Sequence, residues 1–469
     1  RDAQIKAARM LMLNAANHQP AVKPCGASLH GDAIGKGEVV FQRRRRKHLP
    51  FYANDGPDIL YYHDMYPEGP SSVIKCAKSF TPMLWIHSLA YLQEGPGMVA
   101  ASCRFFAELA EDEDLWRRFC LRRRPQERLH FLGSWRATAL PGRGAAASPE
   151  SGSQSDGASR LALPPFPPAM GLPSVPVRQW SELTAQRFLE EFDVPKQPVI
   201  IPNAAAKVIS DLAGWGLDEL REKYSEMEFS CVVQEPGIGP HRHVRMRLCD
   251  YLEYAVGHTD LEPLYLFDDA VPPPLLEAVK APHFLDTDYF SALDGTSFEV
   301  RWWMAIGGPQ SGTRFHVDPF ETSAWNLVTE GRKRWVLFPP SARPPCLEWL
   351  PDGSFVAPGA AMWFQSLDDD AVAACRQQGC LEVEQGPGDL LFVPSGWWHC
   401  VANLEVTVAY TQNVITSANH GRAVTALERL DPEAAALLRA ASADKSRRPL
   451  RSTYPVAKKV ETKSGYPSG

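Results

Sequence analysis

His316-Val317-Asp318, together with His399 far along the chain, are the residues of this sequence best suited to hold a metal ion. Two imidazoles and one carboxylate make a facial set. Three protein ligands leave neighbouring coordination positions open for a co-substrate and O₂, as in non-haem ferrous centres. The spacing has a geometric reason. On a strand, residues i and i+2 share a face, so His316 and Asp318 can grip one ion while Val317 points away. The third ligand must then come from a distant strand, which only a closed or sandwiched sheet brings near.

The flanking residues sharpen this reading. The first end runs Ser311-Gly312-Thr313-Arg314-Phe315-His316-Val317-Asp318-Pro319, then Thr322-Ser323-Ala324-Trp325-Asn326 and Gly331-Arg332-Lys333-Arg334-Trp335-Val336-Leu337-Phe338-Pro339. The second runs from Gly386-Pro387-Gly388-Asp389 through Leu390-Leu391-Phe392-Val393-Pro394-Ser395-Gly396-Trp397-Trp398 to His399, then Asn403-Leu404 and Thr411-Gln412-Asn413. From about Trp180 to about Asn419 the chain resembles the JmjC-domain oxygenases that depend on Fe(II) and 2-oxoglutarate. Within them it is most similar to the phosphatidylserine-receptor-like subgroup of arginine demethylases and lysyl hydroxylases.

The resemblance implies a role for each matched residue. His316, Asp318 and His399 would hold Fe(II). Lys333 stands where the family places the cation for the far carboxylate of 2-oxoglutarate, a strong charge-assisted pair in a dry pocket. Thr313 and Tyr265 match positions that give hydroxyls to the same carboxylate, and Asn326 and Thr411 match polar residues lining the pocket. Without the family context, Lys333 in Arg332-Lys333-Arg334 would read as a solvated strand end, and Tyr265 and Thr313 as ordinary strand residues. Trp397-Trp398 read as packing that excludes water and locks the imidazole of His399. Trp302-Trp303 and Trp325 read as core, and Cys400 as a packing residue on the opposite strand face.

A chain of 469 residues has room for two or three domains. With 49 basic against 55 acidic residues the net charge is −6, so global charge gives no argument for nucleic acid outside one N-terminal basic run. No apolar run reaches the ~18 residues a membrane helix needs, and no clear signal-peptide core is visible near position 1. The ten cysteines are scattered without a C-x-x-C, which reads as free thiols in a reducing compartment.

Short strand-like runs with Gly/Pro punctuation fill the region from Trp180: Phe229–Val233, Leu264–Phe267, Val300–Ile306, Ala324–Val328, Trp335–Phe338, Leu390–Val393 and Val406–Thr411. They predict a mainly β fold with some α, a double-stranded β-helix (jelly roll, cupin-like) over 179–440. A helix is expected over Leu183–Phe192, an insertion with helical parts over 341–384, and a C-terminal helix over Ala423–Ala440, broken at Asp431-Pro432. Pro82-Met83-Leu84-Trp85, Leu89, Tyr91-Leu92, Cys103-Arg104-Phe105-Phe106 and Leu115-Trp116-Arg117-Arg118-Phe119 carry apolar residues three and four apart, and with them residues 76–140 resemble an F-box, a small all-α module that docks the Skp adaptor of cullin ubiquitin ligases. Residues 1–75 and 441–469 read as largely disordered. Residues 141–178, rich in Pro, Ala and Ser, read as a linker too poor in apolar surface to order itself. The run Arg43-Arg44-Arg45-Arg46-Lys47 reads as a solvated segment or, functionally, as a nucleic-acid tail or a nuclear localisation signal. A nuclear location follows from the localisation-signal reading, with the cytoplasm as a further location.

The resemblance implies an enzyme that couples decarboxylation of 2-oxoglutarate to hydroxylation or demethylation of basic side chains on a histone or RNA-associated protein. The second reading is an F-box adaptor whose jelly roll only recognises a target; it predicts a lost ligand or lost cation, and neither is lost. A cupin metalloenzyme acting on a sugar or metabolite would lack the Lys333, Thr313 and Tyr265 set.

Overall fold

The computed structural model describes residues 40–42, 48–50, 52–53, 56–57, 113–123, 128–139, 163–234, 242–285 and 287–443. The chain divides into two compact units, 1–157 and 158–469. In the first, the helix Glu113–Arg123 buries Trp116, Phe119 and Leu121, and Phe131 meets Trp135 edge-on at 5.5 Å. Most of the F-box-like region, the basic run Arg43–Lys47 and the tail beyond 443 lie outside the described residues.

The second unit is built on two antiparallel sheets. Its strands are β1 (Val199–Ile201), β2 (Glu228–Val233), β3 (Arg242–Arg247), β4 (Tyr265–Asp268), β5 (Trp302–Gly307), β6 (Gly312–His316), β7 (Ser323–Glu330), β8 (Lys333–Phe338), β9 (Leu381–Gln385), β10 (Leu390–Val393), β11 (Trp398–Asn403) and β12 (Thr407–Val414). The larger sheet has the order β1-β10-β7-β12-β5-β4-β2-β3, the smaller β6-β11-β8-β9. From β5 to β8 and from β9 to β12 successive strands alternate between sheets, an order consistent with a jelly roll.

Alternation assigns the faces. Trp335, Leu337, Val383 and Val401 of the smaller sheet pack with Leu391, Val393 and Ile200 of the larger, closing one end of the space between them. At the other end Tyr265, Ala305, Val328 and Ala409 face inward. β10 is apolar throughout because both its faces are covered; Phe392 turns outward against Phe188. Outside the larger sheet, Tyr251 of the helix Leu248–Gly257 donates to Ile306 O at 2.6 Å and accepts from Leu266 N at 3.1 Å. Outside the smaller sheet, Val336, Phe338, Cys400 and Ala402 are covered by Trp363 and Phe364 of the helix Ala360–Ser366. Cys400 thus packs away from His399, as alternation requires.

Several expectations are corrected. Residues 163–178, assigned by composition to the linker, are ordered against the smaller sheet. Phe166, Met170 and Leu172 pack on its outer cluster, Arg334 donates to Pro167 O at 2.6 Å, and Met170 N donates to Glu382 at 2.9 Å. Three apolar side chains suffice because the surface beneath them is already built. Leu381–Gln385, of which 381–384 were placed within the insertion, is strand β9, paired to β8 from Lys333–Gln385 to Leu337–Leu381. The helix expected over Leu183–Phe192 starts with Thr184 accepting from Arg187 N, but after Phe188 it widens into a π turn over Leu189–Asp193. The break expected at Asp431-Pro432 is present: the C-terminal helical stretch consists of His420–Glu428 and Pro432–Ala443. Cys231, Cys249, Cys346, Cys375, Cys380 and Cys400 are free thiols, and no helix among the described residues is long and apolar enough to cross a membrane.

Candidate metal centre and anion pocket

His316 ends β6, and Asp318 follows just beyond it in extended backbone (φ −59°, ψ 137°), so the pair shares a face although only His316 lies on the strand. His399, near the start of β11, is the direct cross-strand partner of His316, with ring centroids 4.1 Å apart. The ligand atoms of His316, Asp318 and His399 all lie within 4.8 Å of one another.

Their surroundings prepare them for a metal. His316 Nδ1 faces Arg314 O at 2.8 Å and His399 Nδ1 faces Trp397 O at 3.1 Å. A carbonyl only accepts, so each Nδ1 carries the proton and each Nε2 keeps a free lone pair. Burial pushes both imidazoles down to about 4, with the neighbouring His399 adding to the effect at His316, so both are neutral near pH 7. Asp318 is raised by burial, opposed by His316 and by a hydrogen bond from the Asn413 side chain, and its Oδ2 is buried without a partner. An unsatisfied buried carboxylate oxygen beside two imidazole lone pairs fits a first-row divalent cation.

A second polar cluster adjoins it. Lys333 is 1% exposed, and its Nζ donates to Asn403 Oδ1 at 2.8 Å and Tyr265 OH at 3.2 Å. Both partners are neutral. Among the described residues no carboxylate pairs with Lys333, and burial pushes its ammonium down to about 7. Asn403 is held by Ser311, whose hydroxyl accepts from its Nδ2 at 2.8 Å. The close approach depends on Gly307, where a Cβ would stand 2.0 Å from Asn403 Nδ2 and 2.3 Å from Ser311 Oγ.

Thr313 reaches the cavity through a β-bulge. Strict alternation puts Thr313 and His316 on opposite faces, but β6 pairs Thr313 with Val401 and His316 with His399, one extra residue on β6. Both therefore face inward. Asn326 on β7 and Thr411 on β12 are cross-strand partners facing the same space; Thr411 Oγ1 donates to Trp325 O at 3.3 Å, and Asn326 Oδ1 is buried without a partner. Trp325 is core, as expected. Trp303, also read as core, instead shares the inward face with Thr411, stacks on Phe267 at 5.5 Å and leaves its buried Nε1 unpartnered.

Asn403 and Asn413 have roles that the sequence reading did not assign. Asn403 lies four residues after His399 and Asn413 two after Thr411, even offsets that put each on the inward face of its strand.

Residues 185–415 match the model of the cupin-like domain. The chain is 33% identical over 331 residues to the lysine-specific demethylase JMJ21 of Arabidopsis thaliana, covering 67% of this chain and 34% of that protein. It is 32% identical to the arginine-specific demethylase JMJ22 of the same plant, over 69% of this chain and 64% of that one. With the bifunctional arginine demethylase and lysyl-hydroxylase psr-1 of Caenorhabditis elegans it shares 34%, over 55% and 64%.

This is a JmjC-family, cupin-like domain. The chain spans a third of the length of the first relative and just under two thirds of the other two. Within the domain, the candidate ligands His316 and His399 and the buried Lys333 lie on neighbouring strands of the smaller sheet.

Proposed function

We propose that this chain is an Fe(II)- and 2-oxoglutarate-dependent protein oxygenase, and that the two sheets form a double-stranded β-helix around its centre. Lys333 carries the reading. A buried ammonium with only neutral partners is costly to maintain, and a carboxylate at Tyr265, Asn403 and Thr313 would satisfy it. An anion held there, able at its other end to reach the ion held by His316, Asp318 and His399, has the character of a dicarboxylate keto acid. The relatives' names support the choice: 2-oxoglutarate and iron-dependent oxygenase for JMJD4 of Mus musculus, demethylase or lysyl-hydroxylase for others.

Bound iron with 2-oxoglutarate would supply oxygen activation, giving succinate, CO₂ and one oxygen atom inserted into a substrate C–H bond. The chain's residues do the rest. Burial keeps His316 and His399 neutral, their Nδ1–H bonds fix ring orientation, and Asn413 holds Asp318. Lys333 and Tyr265 orient the co-substrate, while Trp335, Val401 and Leu391 keep one end of the cavity dry. Hydroxylation of a side-chain carbon would leave an alcohol; hydroxylation of an N-methyl group would release formaldehyde. Basic side chains of a histone or RNA-associated protein are the substrates this reading favours.

An F-box-like module over 76–140 that engages a Skp adaptor, and a nuclear location directed by Arg43–Lys47, belong to the same proposal and are supported by sequence pattern alone. Succinate release from 2-oxoglutarate under air tests the enzyme reading. Turnover that vanishes in His316→Ala supports it, and equal turnover in both proteins sinks it. Mass spectrometry of candidate peptides separates the chemistries: a gain of one oxygen marks hydroxylation, a lost methyl marks demethylation.

A further inference from the structure

Immediately after Asp318 the backbone does something unfavourable. Phe320 and Glu321 both have φ 56°, the one place among the described residues where two consecutive non-glycine residues adopt the left-handed region. There Cβ crowds the following carbonyl oxygen, and neither side chain is of the short polar kind that tolerates it. Such a conformation persists only where its surroundings over-determine it, and it concentrates at functional sites.

The restraints are visible on both residues. Phe320 meets Phe298 edge-on at 5.3 Å and packs on the cluster made by the C-terminal helices, including Ala423, Val424 and Leu427. Glu321 Oε2 is met by Arg422 Nε at 3.2 Å and by Lys196 Nζ at 3.8 Å. Arg422 does more than pair with one carboxylate. Its Nη2 donates to Ser395 Oγ at 2.9 Å, in the turn that leads into β11 and His399. One guanidinium therefore ties the segment that follows Asp318 to the segment that precedes His399. From the far side, Thr322 Oγ1 donates to Pro319 O at 2.8 Å and accepts from Asn413 Nδ2 at 2.9 Å, closing the turn.

We propose that Glu321 and Arg422 are positioning residues for the metal centre: their ion pair holds the left-handed Phe320–Glu321 turn and so aims the Asp318 carboxylate at the site shared with His316 and His399. This rests on the metal reading of those three residues, but it assigns the C-terminal helix His420–Glu428 a task beyond packing. Both side chains are about two-fifths exposed, so the clamp acts through orientation, not through burial of charge.

The test is Co(II) titration of the metal-free full-length chain, read by visible d–d absorption, which reports both affinity and ligand geometry. The wild type binds one Co(II) and His316→Ala binds none. Arg422→Ala weakens Co(II) binding by about tenfold, in the range found when outer partners of metal ligands are removed, and changes the shape of the band. Adding Glu321→Gly to Arg422→Ala restores affinity, because glycine adopts this backbone without a clamp. Metal-free thermal unfolding of Arg422→Ala stays close to wild type. If Arg422→Ala binds Co(II) like wild type, or if the added glycine recovers nothing, the positioning role is wrong while the metal site stands. If the wild type binds no Co(II), the metal reading itself falls, and this inference with it.

Discussion

His316 and His399 stand opposite each other across two antiparallel strands, their ring centroids 4.1 Å apart. Two imidazoles that close cannot both be protonated comfortably, and burial holds both neutral. Each ring also spends its Nδ1 proton on a carbonyl two residues earlier in its own chain segment. Neutrality, orientation and convergence thus come from the sheet itself.

Lys333→Met separates stability from co-substrate binding. Replacing a buried cation that lacks a charged partner with an apolar side chain of similar length is neutral or stabilising. The ligand-free variant should therefore unfold at the wild-type temperature or a few degrees higher by roughly the usual scaling. Its affinity for 2-oxoglutarate, measured calorimetrically with Mn(II) present, should fall about 10- to 100-fold, the ~1.5–3 kcal/mol of a hydrogen bond to a charged group. A variant that is less stable and still binds would contradict the pocket.

The same lysine sets a pH dependence. Its folded value of about 7 lies below the ordinary 10.5. Between those values the unfolded chain holds a proton that the folded chain lacks, so this group's contribution to stability rises with pH over that window. It is flat and least favourable below about pH 7. Urea unfolding of ligand-free protein at pH 7 and pH 9, compared with Lys333→Met, isolates the term. Wild type should gain relative to the variant on going to pH 9, and parallel behaviour of the two would exclude it.

Gly307→Ala should damage the pocket around Lys333 without touching His316, Asp318 or His399. The added Cβ meets Asn403 and Ser311 at 2.0 and 2.3 Å, so the pair supporting Lys333 must move. Overpacking of this kind costs about 1–3 kcal/mol. Thermal unfolding checks the cost; 2-oxoglutarate affinity should drop while Co(II) affinity holds.

Phe166→Ala tests whether residues 163–178 belong to the fold. Phe166 lies 5.2 Å from the Arg334 guanidinium and 5.1 Å from the Phe364 ring. Losing those contacts should cost about 2 kcal/mol, below the cost of a fully buried phenylalanine. A change of under about 0.5 kcal/mol, the size of an ordinary surface substitution, would mean that the segment only rests on the sheet.

Legibility in the sequence followed the chemistry. His316, Asp318 and His399 stood out because two imidazoles and a carboxylate sit inside flanking motifs that resemble a known oxygenase family, and Lys333 was legible only through that resemblance. What could not be read were features decided in three dimensions. The bulge that turns Thr313 inward leaves no mark in composition. Asn403 and Asn413 sit in sight of the ligands, but their partners come from distant segments. The chain around Phe166 reads as linker by its prolines and becomes ordered only because a finished apolar surface awaits it. Strand β9 follows two helices and is short; Leu381-Glu382-Val383-Glu384 does alternate, a signal the sequence reading passed over by assigning it to the insertion. The left-handed turn at Phe320-Glu321 defies local propensity altogether.

Calorimetric binding of 2-oxoglutarate to the full chain, with and without Mn(II), addresses the central claim most directly. One molecule should bind per chain when Mn(II) is present, weakly or not at all in its absence, and not detectably in His399→Ala. Metal-independent binding of equal strength, or unchanged binding in His399→Ala, would contradict a co-substrate site completed by the metal that His316, Asp318 and His399 hold.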